Sequence, residues 1–222
     1  MSLTLTDVQL RPYWPRATDA IIAGTVAAWP AVQAKYAFNT PLRCAHFWGQ
    51  ITWECNGGLE LRESGHYSAA QIIKTFGPGH HSAAVTDSEA ADLAAKAKTD
   101  GGRALFNRVY GLGNPKKAKE LGNTGADDGW LFRGAGALNT TGRESFARVG
   151  KAIGQDLVGN PDLANDPGIS LWMGAEEYSE LNCQVLADAD DTGKETLKIN
   201  GGDNGLPQRR ALIARWMVTF GA

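Results

Sequence analysis

Cysteine is scarce: Cys44, Cys55 and Cys183 are an odd set of 3 in 222 residues. A small secreted fold stapled by disulfides carries a denser, even set, so free thiols and synthesis in a reducing compartment are expected. No CxxC and no Cys/His spacing of a zinc site occurs, and His46, His66, His80 and His81 form no metal motif. Neither a metal nor an organic cofactor is therefore expected. An excess of one charge is lacking too. The 22 Lys+Arg against 24 Asp+Glu give a net charge of -2, without the basic face that a nucleic-acid partner needs. The short cluster Lys116, Lys117, Lys119 reads as a solvated surface.

Long apolar runs are also missing. Ala20 to Ala34 is uncharged, but it contains Pro30 and Gln33 and falls short of the ~20 apolar residues a membrane span needs. It reads as a buried helix. Met1 to Arg16 shows no basic stretch leading into an apolar one, so cytoplasmic synthesis without a signal peptide is expected. A substrate outside the membrane would then have to be reached after release by another factor. No internal repeat, low-complexity tract or linker interrupts the chain.

What is present is helical. Hydrophobic residues at 43% can bury a real core, and 27 glycines point to many short elements with irregular connections. Thr40-Pro41 is an N-cap followed by proline at the first helical position, opening a helix that runs toward Cys55. Leu42, Ala45, Trp48, Gly49, Thr52 and Cys55 recur along it at helical spacing. Ser68-x-x-Gln71, Thr86-x-x-Glu89, Thr141-x-x-Glu144 and Thr192-x-x-Glu195 each have the form of a capping box. After Pro207, a last helix sets Leu212, Trp216 and Phe220 on one face. Strand signals are weak: Gly58 to Gly65 alternates apolar and charged residues and fits one short hairpin. Gly111 to Gly129 and Gly154 to Pro167 read as long binding loops.

Two carboxylates stand out. Glycosidic bonds are usually cut by a pair of carboxyl groups, one donating a proton to the leaving oxygen and one ionised. Glu54 lies between Trp53 and Cys55 near the end of an apolar helix, where desolvation would keep it protonated. Glu63 lies between Arg62 and Ser64, where a neighbouring cation would favour the carboxylate. Fully extended, nine steps would part them by about 30 Å, and Gly57-Gly58 lets the chain turn back. On spacing alone, two surface glutamates are much the better explanation of the pattern.

The surrounding words are more specific. Ala45-His46-Phe47-Trp48-Gly49-Gln50-Ile51-Thr52-Trp53-Glu54-Cys55-Asn56-Gly57-Gly58, followed by Leu61-Arg62-Glu63, resembles the catalytic helix and hairpin of family 19 glycoside hydrolases. That family includes plant-type chitinases and related phage and bacterial endolysins. The match continues in order through Tyr67-Ser68-Ala69, Asn107-Arg108-Val109-Tyr110-Gly111, Gly122-Asn123, Asp128-Gly129-Trp130 and Phe132-Arg133-Gly134-Ala135-Gly136. Thr141-Gly142-Arg143, Asn160-Pro161-Asp162-Leu163, Asn200-Gly201-Gly202, Gly205-Leu206 and Arg209 complete it, so it spans about Pro41 to Phe220. Two departures are Trp53, where the family usually has His, and Gly134-Ala135-Gly136 with Asn139, where it has Gly-Arg-Gly and a later Gln.

The resemblance implies a mainly α, lysozyme-like fold of two helical lobes with a minimal β-hairpin beside the cleft, and residues 1–222 as a single catalytic domain. It puts Glu54 on the general acid and Glu63 on the general base, with Asn56 and Thr141 holding the attacking water. Asn139, Ser145 and Asn200 fall on sugar-binding positions, and Arg209 on an arginine near the acid–base network. Tyr67, Tyr110 and Trp130 are candidates to line the cleft or stack on sugar rings, and equally candidates for ordinary burial. The expected partner is a polysaccharide: peptidoglycan, cut by an inverting reaction in the manner of an endolysin, or else chitin. A lytic transglycosylase would need only one glutamate. A non-catalytic sugar-binding protein on a decayed hydrolase scaffold stays open because of Trp53, Ala135 and Asn139. A monomer is expected.

Overall fold

The computed structural model describes residues 3–221. Its regular secondary structure is almost wholly helical. The short α1 (Asp7–Leu10) and long α2 (Asp19–Lys35) lead into α3 (Pro41–Glu54). Next come α4 (Ala69–Phe76), α5 (Asp87–Asp100), α6 (Arg103–Val109), α7 (Pro115–Leu121) and α8 (Asp128–Leu131). A 3-10 turn, Pro161–Asn165, separates α9 (Arg143–Ile153) from α10 (Pro167–Glu180). The chain ends with α11 (Cys183–Asp188), α12 (Thr192–Asn200) and α13 (Leu206–Phe220).

The helix starts follow local chemistry. Thr40 accepts from the Arg43 amide and Pro41 occupies the first turn, where its missing N–H costs nothing. Ser68 and Thr86 form reciprocal capping boxes with Gln71 and Glu89. The other two expected boxes do not form. Asp191 caps α12 in place of Thr192, because a carboxylate one residue earlier is the stronger acceptor for the free amides. Gly142 begins α9, and the Thr141 hydroxyl donates instead to the Asn139 carbonyl at 2.8 Å. The stretch read as a loop at 111–129 contains α7 and the start of α8, with Asn114 and Pro115 starting α7. The stretch at 154–167 contains the 3-10 turn.

α3 is the structural axis. Every residue from Cys44 to Thr52 is buried, so the helix is enclosed on all sides rather than along one stripe. α13 packs along it, and α10 packs along α2. Trp14, Trp29, Phe47, Trp48 and Trp216 fill the cluster around α3. Ile213, one position beyond the expected Leu212, joins Trp216 and Phe220 on the buried face of α13. A second cluster, with Ile72, Phe76, Leu105 and Phe106, holds α4, α5 and α6 together. A third joins Phe132, Phe146 and Met173. These clusters make the lobes of a lysozyme-like helical fold. Cys44, Cys55 and Cys183 are all buried and free. No helix among the described residues is long and apolar enough to cross a membrane.

The expected hairpin is absent. Asn56, Gly57 and Gly58 take three consecutive positive φ values of 49°, 63° and 73°, which spends the chain reversal before the extended stretch begins. At Gly58 a Cβ would also stand 2.3 Å from the Trp14 ring. The extended stretch then pairs with a distant partner. Glu63 N–H donates to Gly134 O at 2.7 Å, and Gly136 N–H donates to Leu61 O at 2.9 Å. Arg62 bridges Ala135, and Ala135 bridges Thr140. This small three-stretch patch carries the site.

Close packing of α13 on α3 depends on Gly49, where a Cβ would lie 2.3 Å from Ile213 Cγ1 and 3.1 Å from its backbone nitrogen. Gly49→Ala is therefore expected to destabilise the protein by ~1–3 kcal/mol through overpacking, despite alanine's better helix propensity. Urea unfolding measures this; a variant as stable as the parent would contradict the close helix contact.

Candidate active site

Glu54 is the last residue of α3, and its side chain is 17% exposed. Its partner is Arg209 on α13, 1% exposed, whose Nη2 donates to Glu54 Oε1. Arg209 also donates from Nη1 to Gln50 Oε1 at 2.6 Å and from Nε to the Asn204 carbonyl at 3.2 Å. The apolar surroundings expected from Trp53 and Cys55 are thus corrected: the neighbour that matters is a guanidinium arriving from the far end of the chain.

Glu63 also departs from expectation. Arg62, adjacent in sequence, points away. It donates from Nη1 to Pro161 O at 2.9 Å and to Asp162 Oδ1 at 3.1 Å, and from Nη2 to Leu131 O. An extended chain sends successive side chains to opposite sides, so neighbours in sequence do not share an environment. Glu63 itself is half-buried. Tyr67 and Tyr110 donate to its Oε1 at 3.2 Å each, and Gly134 N–H donates to Oε2 at 3.3 Å. Burial pushes its carboxyl up to about 7; the Tyr110, Tyr67 and Gly134 hydrogen bonds and the Arg133 charge only partly offset this. Both tyrosine hydroxyls are raised, chiefly by burial and then by the Glu63 charge. The expected contrast between the two carboxyl groups is present but inverted: Glu54 has the cation and Glu63 the desolvated niche.

The remaining candidates divide. A Cβ built on Gly134 would lie 3.2 Å from Glu63 Oε2, 3.4 Å from Thr141 Oγ1 and 3.5 Å from Asn139 Oδ1. The space over Gly134 is therefore ringed by three oxygens, which suits a water molecule. Asn139 sits at a positive φ of 56° and donates from Nδ2 to the Glu54 carbonyl at 3.1 Å. It ties the end of α3 to the Gly134 segment. Asn56 lies on the other side. It accepts from Arg16 Nη2 at 3.2 Å and donates to Glu60 Oε1 at 3.0 Å. Thr141 is thus placed beside Glu63, while Asn56 faces the cavity of Glu54.

Tyr67 and Tyr110, considered for stacking on sugar, spend their hydroxyls on Glu63. Trp130 has the Arg133 guanidinium 3.5 Å over its ring, so one face is taken. Ser145 is half-buried on α9, and Asn200 is exposed at the end of α12, donating to Asn204 O at 3.2 Å.

Two cavities meet at Glu60. One of about 510 Å3 is lined by Tyr13, Arg16, Trp53, Glu54, Asn56 and Glu60. Another, of about 320 Å3, is lined by Glu60, Glu63, Ser64, His66, Tyr67 and Gln71. Neither is lined by Ser145 or Asn200. Sequence reasoning missed Glu60, Arg16 and Arg133. Glu60 carries a weak signal as a third acid between the pair; Arg16 carries none, since nothing local shows that the N-terminal segment reaches the cleft. Among the described residues no cluster of His, Cys, Asp and Glu could hold a metal ion.

Comparison with known proteins agrees with this architecture. The chain is 27% identical over 226 residues to a glycosyl hydrolase family 19 domain-containing protein of Haemophilus influenzae, covering 99% of this chain and 98% of that one. Chitinase C from Streptomyces griseus superposes with a TM-score of 0.61 at 15% identity, over 100% of this chain and 94% of its own. A bacterial family 19 chitinase gives 0.56 at 18% identity, over 98% and 95%. No protein-family model matches the sequence. The resemblance to family 19 glycoside hydrolases thus extends along the whole chain, and the fold is the lysozyme-like helical fold of the family 19 chitinases.

If burial opposed by hydroxyl donors sets the Glu63 carboxyl, a carboxyl-carbon NMR titration should show a group with a midpoint near 7. Tyr67→Phe and Tyr110→Phe each remove a donor to the charged form, so each should move that midpoint higher. Stability contributed by the neutral group is present below its ordinary value and lost as pH rises through about 7. A Glu63 midpoint in the ordinary carboxylate range would contradict the buried niche.

Proposed function

We propose that the chain is a glycoside hydrolase that cuts β-1,4 bonds next to N-acetylglucosamine in peptidoglycan. Glu54 donates a proton to the leaving oxygen and Glu63 activates water. The observation that carries this reading is the ring of oxygens over Gly134. Glu63 Oε2, Thr141 Oγ1 and Asn139 Oδ1 surround one point over Gly134 at 3.2 to 3.5 Å, while Asn139 ties that segment to the backbone of Glu54. Water has two protons: the Glu63 carboxylate takes one and either Thr141 Oγ1 or Asn139 Oδ1 holds the other, which aims the attacking lone pair. The buried Arg209 holds Glu54 at the other wall.

The preference for peptidoglycan is supported by Arg16. It comes from the N-terminal segment and lines the cavity beside Glu54. Peptidoglycan carries acidic groups on its stem peptides; chitin carries none. Chitin remains the second reading because the superposing structures are named as chitinases. The three buried free cysteines fit synthesis in the cytoplasm, with access to the wall through another factor.

Purified peptidoglycan and colloidal chitin are each digested, and the new reducing-end sugar is identified by mass spectrometry. Peptidoglycan fragments should dominate; release from chitin alone would transfer the assignment to chitin. Glu54→Gln should lower turnover by ~100- to 10,000-fold with circular dichroism unchanged, since the amide oxygen still accepts from Arg209. Near-normal turnover would remove Glu54 from the mechanism. As a base, Glu63 must be ionised, so kcat/KM should rise with pH through about 7; a fall over that range would make Glu63 the acid.

Water attacking from the Glu63 side, opposite the proton donor, inverts the anomeric centre. Proton NMR of fresh products, read before mutarotation, should show α product from the β-linked polymer. Early β product would mean a covalent intermediate on Glu63 and a carboxyl separation of ~5–5.5 Å.

A further inference from the structure

Behind Glu54, a continuous set of buried polar groups crosses the protein. Arg209, bound to Glu54, donates from Nη1 to Gln50 Oε1, and Gln50 Nε2 donates to Glu195 Oε2 at 3.3 Å. The same oxygen lies 2.6 Å from His46 Nδ1, and His46 Nε2 lies 2.9 Å from Asp190 Oδ1. Tyr178 donates to the other oxygen, Glu195 Oε1. His46 and Glu195 are 0% exposed, whereas Asp190 is 72% exposed. None of these contacts is needed to complete an acid–base pair at the cleft.

We propose that His46 is a positioning residue for Glu54: as a buried imidazolium it fixes Glu195, which sets Gln50 and, through it, Arg209. This rests on the reading of Glu54 as the proton donor. The geometry fixes the protonation of His46. Both ring nitrogens face carboxylate oxygens, and a neutral imidazole has only one N–H to give. A neutral ring would turn a lone pair toward a carboxylate in a buried site, which is costly.

The direction of the amide follows. Gln50 can face Glu195 only with its NH2 group, so its oxygen must face Arg209. That leaves Nη2 of Arg209 for Glu54. Without the imidazolium, the Glu195 charge would be left to compete with Glu54 for the buried Arg209 guanidinium. No proton needs to travel along the set; it acts by holding charge and direction.

The groups that reach the ring come from two places: Glu195 on α12 and Asp190 in the turn before it. Around them, Tyr178 on α10 binds Glu195, Cys183 on α11 stands near Glu195, and Arg43, one turn back on α3, is paired with Asp188 at 2.5 Å. Burial alone would lower the imidazole, and the hydrogen bonds and charges of Glu195 and Asp190 outweigh it, so it is raised above 6.5. A raised histidine contributes stability below its ordinary value and loses it as pH rises through its folded value.

The test uses the whole chain and reads His46 directly by imidazole NMR, assigned by its loss in His46→Gln. Asp190→Asn, at an exposed position, removes one acceptor without emptying the core. His46 should titrate above 6.5, Asp190→Asn should lower its midpoint, and Glu54→Gln should shift it as well, because Arg209 then meets an amide oxygen in place of the carboxyl group. In turnover, Asp190→Asn should lower kcat by ~2- to 30-fold with KM unchanged, the loss growing as pH rises past the His46 midpoint. A His46 midpoint at or below 6.5, or one that Glu54→Gln leaves in place, overturns the proposal. If the parent protein cleaves no glycan, the functional reading falls and the NMR result still decides the coupling.

Discussion

Arg209 brings a permanent positive charge to a position 1% exposed between α13 and α3, and the rest of the site is arranged around compensating it. A buried ion without partners costs several kcal/mol, so each of its three nitrogens must find an acceptor. One reaches Glu54, one Gln50 and one the Asn204 carbonyl. Two of those acceptors are on α3 a single turn apart, so the arginine also fixes the rotation of the helix that carries Glu54. Packing enforces the same relation, since Gly49 on α3 admits Ile213 of α13 at contact distance. Charge and shape thus specify one register between the two helices.

The second carboxylate is held by a different principle. Glu63 sits on a short extended stretch, bound to Gly134 through its backbone and to Tyr67 and Tyr110 through its side chain. These are neutral donors in a desolvated niche, which leave its carboxyl near 7 instead of deep in the carboxylate range. One carboxyl group faces a fixed charge and the other faces dipoles. The two therefore differ in how they answer a ligand that expels water from around them.

Much of the fold was legible because its signals are local. Thr40-Pro41 and the capping boxes at Ser68 and Thr86 state their helices within four residues. The family words were legible for a related reason: many of them are joints. Asn123 accepts from Arg143 N and donates to Tyr110 O, Asn107 accepts from Trp130 N, and Asp128 accepts from the amides of Thr124 and Gly125. What failed was non-local. The Gly58 to Gly65 stretch has strand character, but its partner lies at Gly134 to Gly136, and no nearest-neighbour pattern names it. Glu195 looked like a cap residue because its true partner, His46, is 149 residues away. The tyrosines stood equally as cleft residues or buried ones, and the sequence says nothing of where a hydroxyl points. Arg62 shows the same limit in reverse: the nearest charge in sequence is turned away from Glu63, and Arg133 takes its place.

Placing Glu54 at the C-terminal end of α3 has a physical cost of its own. The last turn of a helix presents unpaired carbonyls and a partial negative charge, which disfavours a carboxylate there by ~0.3–1 kcal/mol. A lone glutamate would therefore turn outward to water, away from any cleft wall. Here Asn139 Nδ2 occupies the Glu54 carbonyl and Arg209 occupies its carboxylate. One partner answers the helix end and the other answers the side chain. Asn139 adopts a left-handed backbone to do so, a conformation asparagine tolerates better than most residues. The same residue then turns its oxygen toward Gly134 and the Glu63 niche. A single side chain thus relieves the terminus of the core helix and sets its distance from the opposite wall, so the geometry between the two carboxyl groups is fixed by the requirements of helix termination.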